Sequence, residues 1–311
     1  MSKILVFGHK NPDTDAITSA ISFSYLQNQL GKSTEAVALG EITDEIAYAL
    51  DYFDFEAPRV VSKSDDDVSE VMLVDHNEPM QSIDDIDDLT VLSVVDHHRI
   101  NDFNTNGPLY YRAEPVGCTN TIILKLFKEY GVDIPKDIAG LMLSAIISDT
   151  LLFKSPTCTD KDIKAAEELA EIAGVNTEEY GLELLKAGTN VKDKSALEII
   201  DGDSKNFELN NHLVHVGQVN VVDFQELLDR KEELLDAMIK ENSDNSYELF
   251  VLIMTNILDS NSIGLVAGNH TEMVEKAFEG SIKENQIDLP GVVSRKKQVI
   301  PQLTEQFENI D

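Results

Sequence analysis

Imidazole and carboxylate side chains recur in this sequence at the ends of short apolar runs. His9, Asp13 and Asp15 follow "KILVF" in "FGHKNPDTDA", and Asp75 closes "VMLVD". Asp96, His97 and His98 close "VLSVVDHH", and Asp149 lies at the end of "LSAIISDT". An acid or histidine just past a buried strand stands where open α/β sheets hold their ligands. Taken singly, most have a plain reading. His9 is a hydrogen-bonded structural histidine, Asp13 and Asp15 are helix caps, Asp75 is a turn former, and His97 and His98 are surface imidazoles. Asp149 fits less well, because a carboxylate at a helix end opposes the helix macrodipole. Taken together, the residues point to a metal centre. Asp13 and Asp15 are two apart, so an extended loop aims both the same way. Several carboxylates in one crevice repel strongly unless cations lie among them. Imidazole and carboxylate without thiolate suit Mn²⁺, Co²⁺, Fe²⁺ or Mg²⁺ better than a structural zinc. More than four candidate ligands imply two ions and a bridging carboxylate, an arrangement suited to phosphoryl transfer.

Such residues need a scaffold that brings distant strand ends together. Ile4–Phe7 reads as a strand buried on both faces, followed by an Asn-Pro turn and helical periodicity from Ala16 to a stop at Gly31. "STEAVALG", "RVVS", "VMLVD" and "VLSVVD" read as further strands. "TDEIAYALDYFD", "GCTNTIILKLFKEYG", "DIAGLMLSAIISDT" and "TDKDIKAAEELAEIAG" read as helices, with a short surface helix at "PMQSIDDIDDL". The fold class expected is α/β, a mostly parallel sheet flanked by helices in an N-terminal domain of residues 1–187. A polar linker over 188–195 leads to a smaller C-terminal α/β domain, 196–311. There "HLVHVGQVNVVDF" alternates like paired strands, "QELLDRKEELLDAMIKE" is one helix, and "LFVLIMTNIL" and "SIGLVAG" are strands.

Composition limits the partners. The 311 residues carry a formal net charge of −32, which argues against a nucleic-acid surface but not against a small anion met by local cations. Cys118 and Cys158 form no CxxC pair and read as small buried apolar residues. There is no signal peptide and no apolar run long enough for a bilayer, so no membrane association and a cytoplasmic location are expected. In so acidic a chain, Arg295-Lys296-Lys297 stands out between apolar "GVV" and "VIPQL". A solvated charge run is the plain reading. A folded cluster that grips phosphate, Arg by a bidentate fork and Lys as a point charge, is the sharper one.

"DHH" at Asp96-His97-His98, with "GHKNPDTDA" and "VDHN" upstream, resembles the DHH phosphoesterase superfamily. "SRKKQ" at Ser294–Gln298 resembles the signature of the family II inorganic pyrophosphatases, and the likeness spans the whole chain. That resemblance implies hydrolysis of pyrophosphate to two phosphates by a metal-bridging hydroxide, at a dinuclear manganese site between two domains. It implies two Mn²⁺ per subunit, Co²⁺ as a substitute and Mg²⁺ arriving with substrate. It implies that His9, Asp13, Asp75 and Asp149 bind one metal and Asp15, Asp75, His97 and Asp149 the other. His98 would bond the substrate, with Asp96 orienting its neighbours, and Lys205, Arg295 and Lys296 would hold phosphate groups. A homodimer is implied as well. The alternative is a DHH-type exopolyphosphatase or phosphodiesterase, which would share the metal motifs.

Overall fold

A computed structural model describes residues 3–308. The chain divides into two compact units, Met1–Gly188 and Thr189–Asp311. Each is α/β.

In the first unit the strands are β1 (Ile4–Phe7), β2 (Thr34–Ala36), β3 (Glu70–Val74), β4 (Thr90–Asp96) and β5 (Tyr110–Ala113). The helices are α1 (Thr14–Gln29), α2 (Asp44–Tyr52), α3 (Thr119–Tyr130), α4 (Lys136–Thr150), α5 (Asp160–Ala173) and α6 (Thr177–Gly188). The sheet order is β2-β1-β3-β4-β5, and every pairing is parallel. From β1 the chain runs outward to β2 on one side and to β3, β4 and β5 on the other. The boundary between β1 and β3 is therefore a topological switch point, where a crevice opens beyond the carboxyl ends of the strands. Strand periodicity sorts the core. Leu5, Phe7, Val71 and Leu73 face a cluster closed by Val37, Val68 and Ile83, with Ile86, Leu89 and Phe103 packed against it. That face is thus covered by loops and 3-10 turns, while α1 and α3 pack against β1, β3 and β4.

Several local expectations change. "RVVS" contributes only an isolated bridge, Val60 to Ala38. "PMQSIDDIDDL" forms two short 3-10 turns, Pro79–Gln81 and Ile86–Asp88, in place of one helix. The edge strand β5 and the helix α6 carry no clear sequence signal. Gly181 lies within α6, where a Cβ would meet Leu152 Cδ2 at 2.5 Å. Cys118 is buried as expected, whereas Cys158 is only half-buried; both are free thiols.

The second unit comprises α7 (Ala196–Asp201), β6 (Ser204–Leu209), β7 (His212–Val221), α8 (Gln225–Leu228), α9 (Lys231–Asn245), β8 (Leu249–Asn256), β9 (Asn261–Gly268), α10 (Thr271–Ala277), β10 (Gln286–Leu289) and α11 (Ile300–Glu308). Its sheet runs β10-β9-β8-β7-β6, with β7 and β8 parallel and the other pairs antiparallel. The wholly buried β8 alternates cleanly. Leu249, Val251 and Ile253 join Leu303 and Phe307 of α11 on one face, and Phe250, Leu252 and Met254 join Leu234 and Met238 of α9 on the other. "QELLDRKEELLDAMIKE" is two helices, α8 and α9, separated at Asp229–Arg230. Val191, inside the expected linker, is buried in this unit's core. No helix among the described residues is long and apolar enough to cross a membrane.

Candidate metal centre

The switch point gathers the residues singled out by their chemistry. His9 follows β1, Asp75 follows β3, and Asp96 ends β4 with His97 and His98 next in the chain. Asp13 is the N-cap of α1, its Oδ1 accepting from Ala16 N–H at 2.9 Å. Asp149 sits in the last turn of α4. The loop after β1 is tightly seated, for a Cβ on Gly8 would lie 2.5 Å from Ala16 Cβ and 2.6 Å from Ala16 Cα.

Asp75 is central. Its Oδ2 is 3.4 Å from His9 Nε2, and its Oδ1 is 3.3 Å from His97 Nε2. Its backbone is left-handed, with φ 58°, which turns the chain sharply at the strand end. Asp13 Oδ2 also lies 3.4 Å from His9 Nε2. Donor atoms of His9, Asp13 and Asp75 fall within 4.8 Å of one another, as do those of Asp15, His97 and Asp149 and those of Asp75, His97 and His98.

Both histidines are held in one tautomer. His9 Nδ1–H donates to Lys10 O at 2.9 Å and His97 Nδ1–H to Val116 O at 3.0 Å. That fixes each ring and aims Nε2 at the carboxylates, the usual support for a metal-ligating histidine. His98 is set differently. Its Nδ1 is 3.0 Å from Asp96 Oδ1, which also accepts from the His98 backbone N–H at 3.0 Å. Asp96 is fixed in turn by Asn77 Nδ2 at 2.6 Å.

Titration follows from this geometry. Burial works against charge on His9, yet Asp13 and Asp75 overcome it and push its pKa up to about 11. Burial likewise opposes charge on His97, but Asp75 and Asp15 raise it to about 9. His98 is raised chiefly by Asp96. Burial disfavours the charge on Asp75, but the two imidazoles hold its carboxyl well below the ordinary range. Asp15 is pushed up to about 6 by burial and by Asp75. Asp149 is pushed well above the ordinary range by burial and then by Asp15, Asp75 and Asp13.

Residues outside the motifs complete the frame. Asp15 accepts from the first backbone amides of α3, Thr119 N–H at 2.6 Å and Asn120 N–H at 3.3 Å, and from Ser19 Oγ at 2.7 Å. A helix N-terminus favours such an anion. Thr119 Oγ1 donates to Asp75 Oδ1 at 3.1 Å. The buried Asp162 accepts from Gly117 N–H at 2.9 Å and Thr121 Oγ1 at 2.6 Å, pinning the turn that precedes α3. The only prior hint of this support is the run of small polar residues in "GCTNT". Beyond Asp149, Leu151, Leu152 and Phe153 are all left-handed, an uncommon backbone for bulky residues.

The donor chemistry fits divalent metal. Asp75 Oδ2 and Asp149 Oδ2 are cut off from solvent and accept no hydrogen bond. Buried carboxylate oxygens without donors are costly, and a cation removes that cost. The residues around them offer imidazole and carboxylate without a ligating thiolate, which suits Mn²⁺.

The basic residues lie on the second unit. Lys205 is exposed on β6 and Lys296 is exposed in the π-helical turn Arg295–Val299; among the described residues neither has an ion pair. Arg295 is buried. Its Nη2 donates to Asp203 Oδ1 at 2.7 Å and its Nη1 to Val216 O at 3.2 Å and to Asp203 O. Lys205 pairs with Val216 across the β6–β7 ladder, which places both cations in one part of the sheet.

Comparison with known proteins settles the family. Residues 3–146 match the DHH family, N-terminal domain, and residues 182–306 match the DHHA2 domain. A Lactobacillus helveticus protein is 62% identical, the match covering 99% of this chain and 100% of that one. An Enterococcus faecalis protein is 63% identical over 99% and 100% of the two chains. Both carry the name manganese-dependent inorganic pyrophosphatase. This chain belongs to the manganese-dependent inorganic pyrophosphatase family. Among solved structures, a Methanococcus jannaschii protein described as a family II inorganic pyrophosphatase is 40% identical, with TM-score 0.62 and coverage of 99% and 100%. An exopolyphosphatase-related protein from Bacteroides fragilis, 15% identical with TM-score 0.50 over 99% and 92% of the chains, shares the fold. Within the pyrophosphatase family assignment, the DHH match lies in the first unit, and the DHHA2 match begins in α6 and continues through the second.

Proposed function

We propose that this chain hydrolyses pyrophosphate to two phosphates at a centre of two Mn²⁺ ions per subunit. The observation that carries the reading is Asp75, with one oxygen toward each histidine, beside Asp149, whose buried Oδ2 has no donor. His9, Asp13, Asp75 and Asp149 would hold one ion; Asp15, Asp75, His97 and Asp149 would hold the other. When bound, such ions supply Lewis acidity and lower the pKa of water. The chain's own contribution is placement. Lys10 O and Val116 O keep His9 and His97 with Nε2 available, and the N-terminus of α3 holds Asp15 in register. Asp96 orients His98, which donates a hydrogen bond, or a proton, to the departing phosphate. Lys205, Arg295 and Lys296 are assigned to phosphoryl oxygens, where positive charge stabilises the transition state. Residues 188–195 are assigned as the linker between a catalytic and a substrate-binding domain.

The same reading includes Co²⁺ as a substitute, Mg²⁺ brought with pyrophosphate, and a homodimer. The free edge strand β5 with exposed Tyr110, and exposed Met80 and Ile100 on the same unit, support self-association. Light scattering on the purified chain tests it. The decisive experiment strips the chain with chelator, restores Mn²⁺, and compares phosphate release from pyrophosphate, polyphosphate and a dinucleotide. Release from pyrophosphate well above the other two is expected. Faster release from polyphosphate or the dinucleotide would shift the assignment to an exopolyphosphatase or phosphodiesterase.

A further inference from the structure

A second group of candidate ligands lies on the other unit, apart from the residues given catalytic roles. His212 opens β7, Glu248 precedes β8, and His270 follows β9 as the N-cap of α10. Because β7 and β8 are parallel and β8 and β9 antiparallel, these positions share one end of the sheet. The backbone locks them together: Glu248 N–H donates to Leu213 O at 2.9 Å, and Asn269 N–H donates to Glu248 O at 2.6 Å. His270 is left-handed, with φ 58°, a conformation that costs energy for a side chain of this size.

From these observations we propose that His212, Glu248 and His270 bind a transition-metal dication, with zinc the best fit, in a three-ligand site open at its fourth corner. Donor atoms of the trio lie within 4.8 Å of one another. Metal–ligand bonds of about 2.0–2.1 Å in a tetrahedron set donor atoms roughly 3.3–3.4 Å apart. His270 Nε2 and Glu248 Oε2 are already 3.4 Å apart. His212 Nδ1 and Glu248 Oε2 are at 2.8 Å, a hydrogen bond that lengthens by about half an ångström when a cation replaces the shared proton.

Orientation supports the same choice of atoms. Glu272 Oε1 faces His270 Nδ1 at 3.7 Å, so Nε2 is the nitrogen turned to Glu248, the arrangement expected of a histidine backed by a carboxylate. The two rings meet edge to face, with centroids 4.6 Å apart, and both pack on Phe307, at 5.4 and 5.9 Å. Phe307 is buried and its carbonyl is tied to Asn210 Nδ2 at 2.9 Å, which makes a fixed apolar wall. The side chains of His212, Glu248 and His270 remain 22%, 36% and 26% exposed, leaving the last corner to water. Two imidazoles and one carboxylate are a zinc donor set, while Mn²⁺ favours sites richer in oxygen. Preference for metal therefore differs between the two units.

The test uses the full chain, its first centre loaded with Mn²⁺, dialysed against free zinc equimolar with protein. Wild type, His270→Gln and Glu248→Gln are compared by elemental analysis, and wild-type crystals by anomalous diffraction at the zinc edge. The proposal expects one zinc fewer per chain in each variant, a peak among the three side chains, and unchanged turnover in Mn²⁺ alone. Equal zinc in all three proteins, or no peak at this end of the sheet, would overturn it. Because turnover is read separately, failure here leaves the pyrophosphatase assignment intact.

Discussion

Replacing Asp149 with asparagine should raise the melting temperature of the metal-free first unit and remove most of its response to manganese. Without metal, Asp149 is a liability: Oδ2 is buried without a donor, and burial and the neighbouring acids Asp15, Asp75 and Asp13 all oppose its charge. An unsatisfied buried polar group costs about 1–3 kcal/mol. In a unit of this size, 1 kcal/mol moves the midpoint by about 2–4 °C. The chelator-treated variant should therefore melt roughly 2–12 °C above wild type. With manganese the order reverses. An ion present at a hundredfold excess over its dissociation constant stabilises the native state by about 2.7 kcal/mol, and the variant has lost a ligand assigned to both ions. Differential scanning calorimetry in chelator and in Mn²⁺ isolates the metal-sensitive transition. A variant that melts below wild type in chelator, or keeps the full manganese shift, would show that Asp149 is not a metal-facing carboxylate.

Other perturbations reach different parts of the chain. Gly8→Ala forces a Cβ against the Ala16 backbone, so it should cost about 1–3 kcal/mol by overpacking and weaken manganese binding through the His9 loop; denaturant melts and equilibrium dialysis check this. Arg295→Ala removes charged hydrogen-bond donors worth about 1.5–3 kcal/mol, so the KM for pyrophosphate should rise about tenfold or more while manganese content stays normal; unchanged kinetics would remove Arg295 from the substrate site. Glu114 is opposed by partial burial but held down to about 2 by Lys125 and Arg112, below its ordinary 4.5. Its stabilisation is therefore present above pH 4.5 and lost as pH falls from there toward 2. Glu114→Gln should cost about 1 kcal/mol at neutral pH after solvent screening, with the gap to wild type narrowing in melts below pH 4.5.

The site was legible because its donors are few and stand next to strong apolar signals. Strands β1, β3 and β4 are short, buried and parallel, so each reads as an apolar run whose last residues must meet the others' at the sheet's end. The supporting groups were not legible. Val116 acts through its carbonyl and Thr119 partly through its backbone amide, atoms every residue has, and only the fold selects them. β5 escapes notice because "YYRA" sits at an edge with little burial. The break between α8 and α9 at Arg230 reflects tertiary bonds, its Nη1 reaching Val191 O and Lys194 O, rather than any helix-breaking residue. His212, Glu248 and His270 fall far apart in sequence, each without a motif, and only strand register brings them together.

The place of β1 inside its sheet, between β2 and β3, bears on how the protein matures. The strand made first waits for β3 before its inner edge is filled, and the acids of the candidate metal centre arrive as late as Asp149 at the close of α4. Closing such long loops is slow and comes before any reward from the contacts they make. Ion capture should thus trail assembly of the first unit and serve as its finishing signal. In a refolding time course, manganese uptake should keep pace with the slowest recovery of native structure.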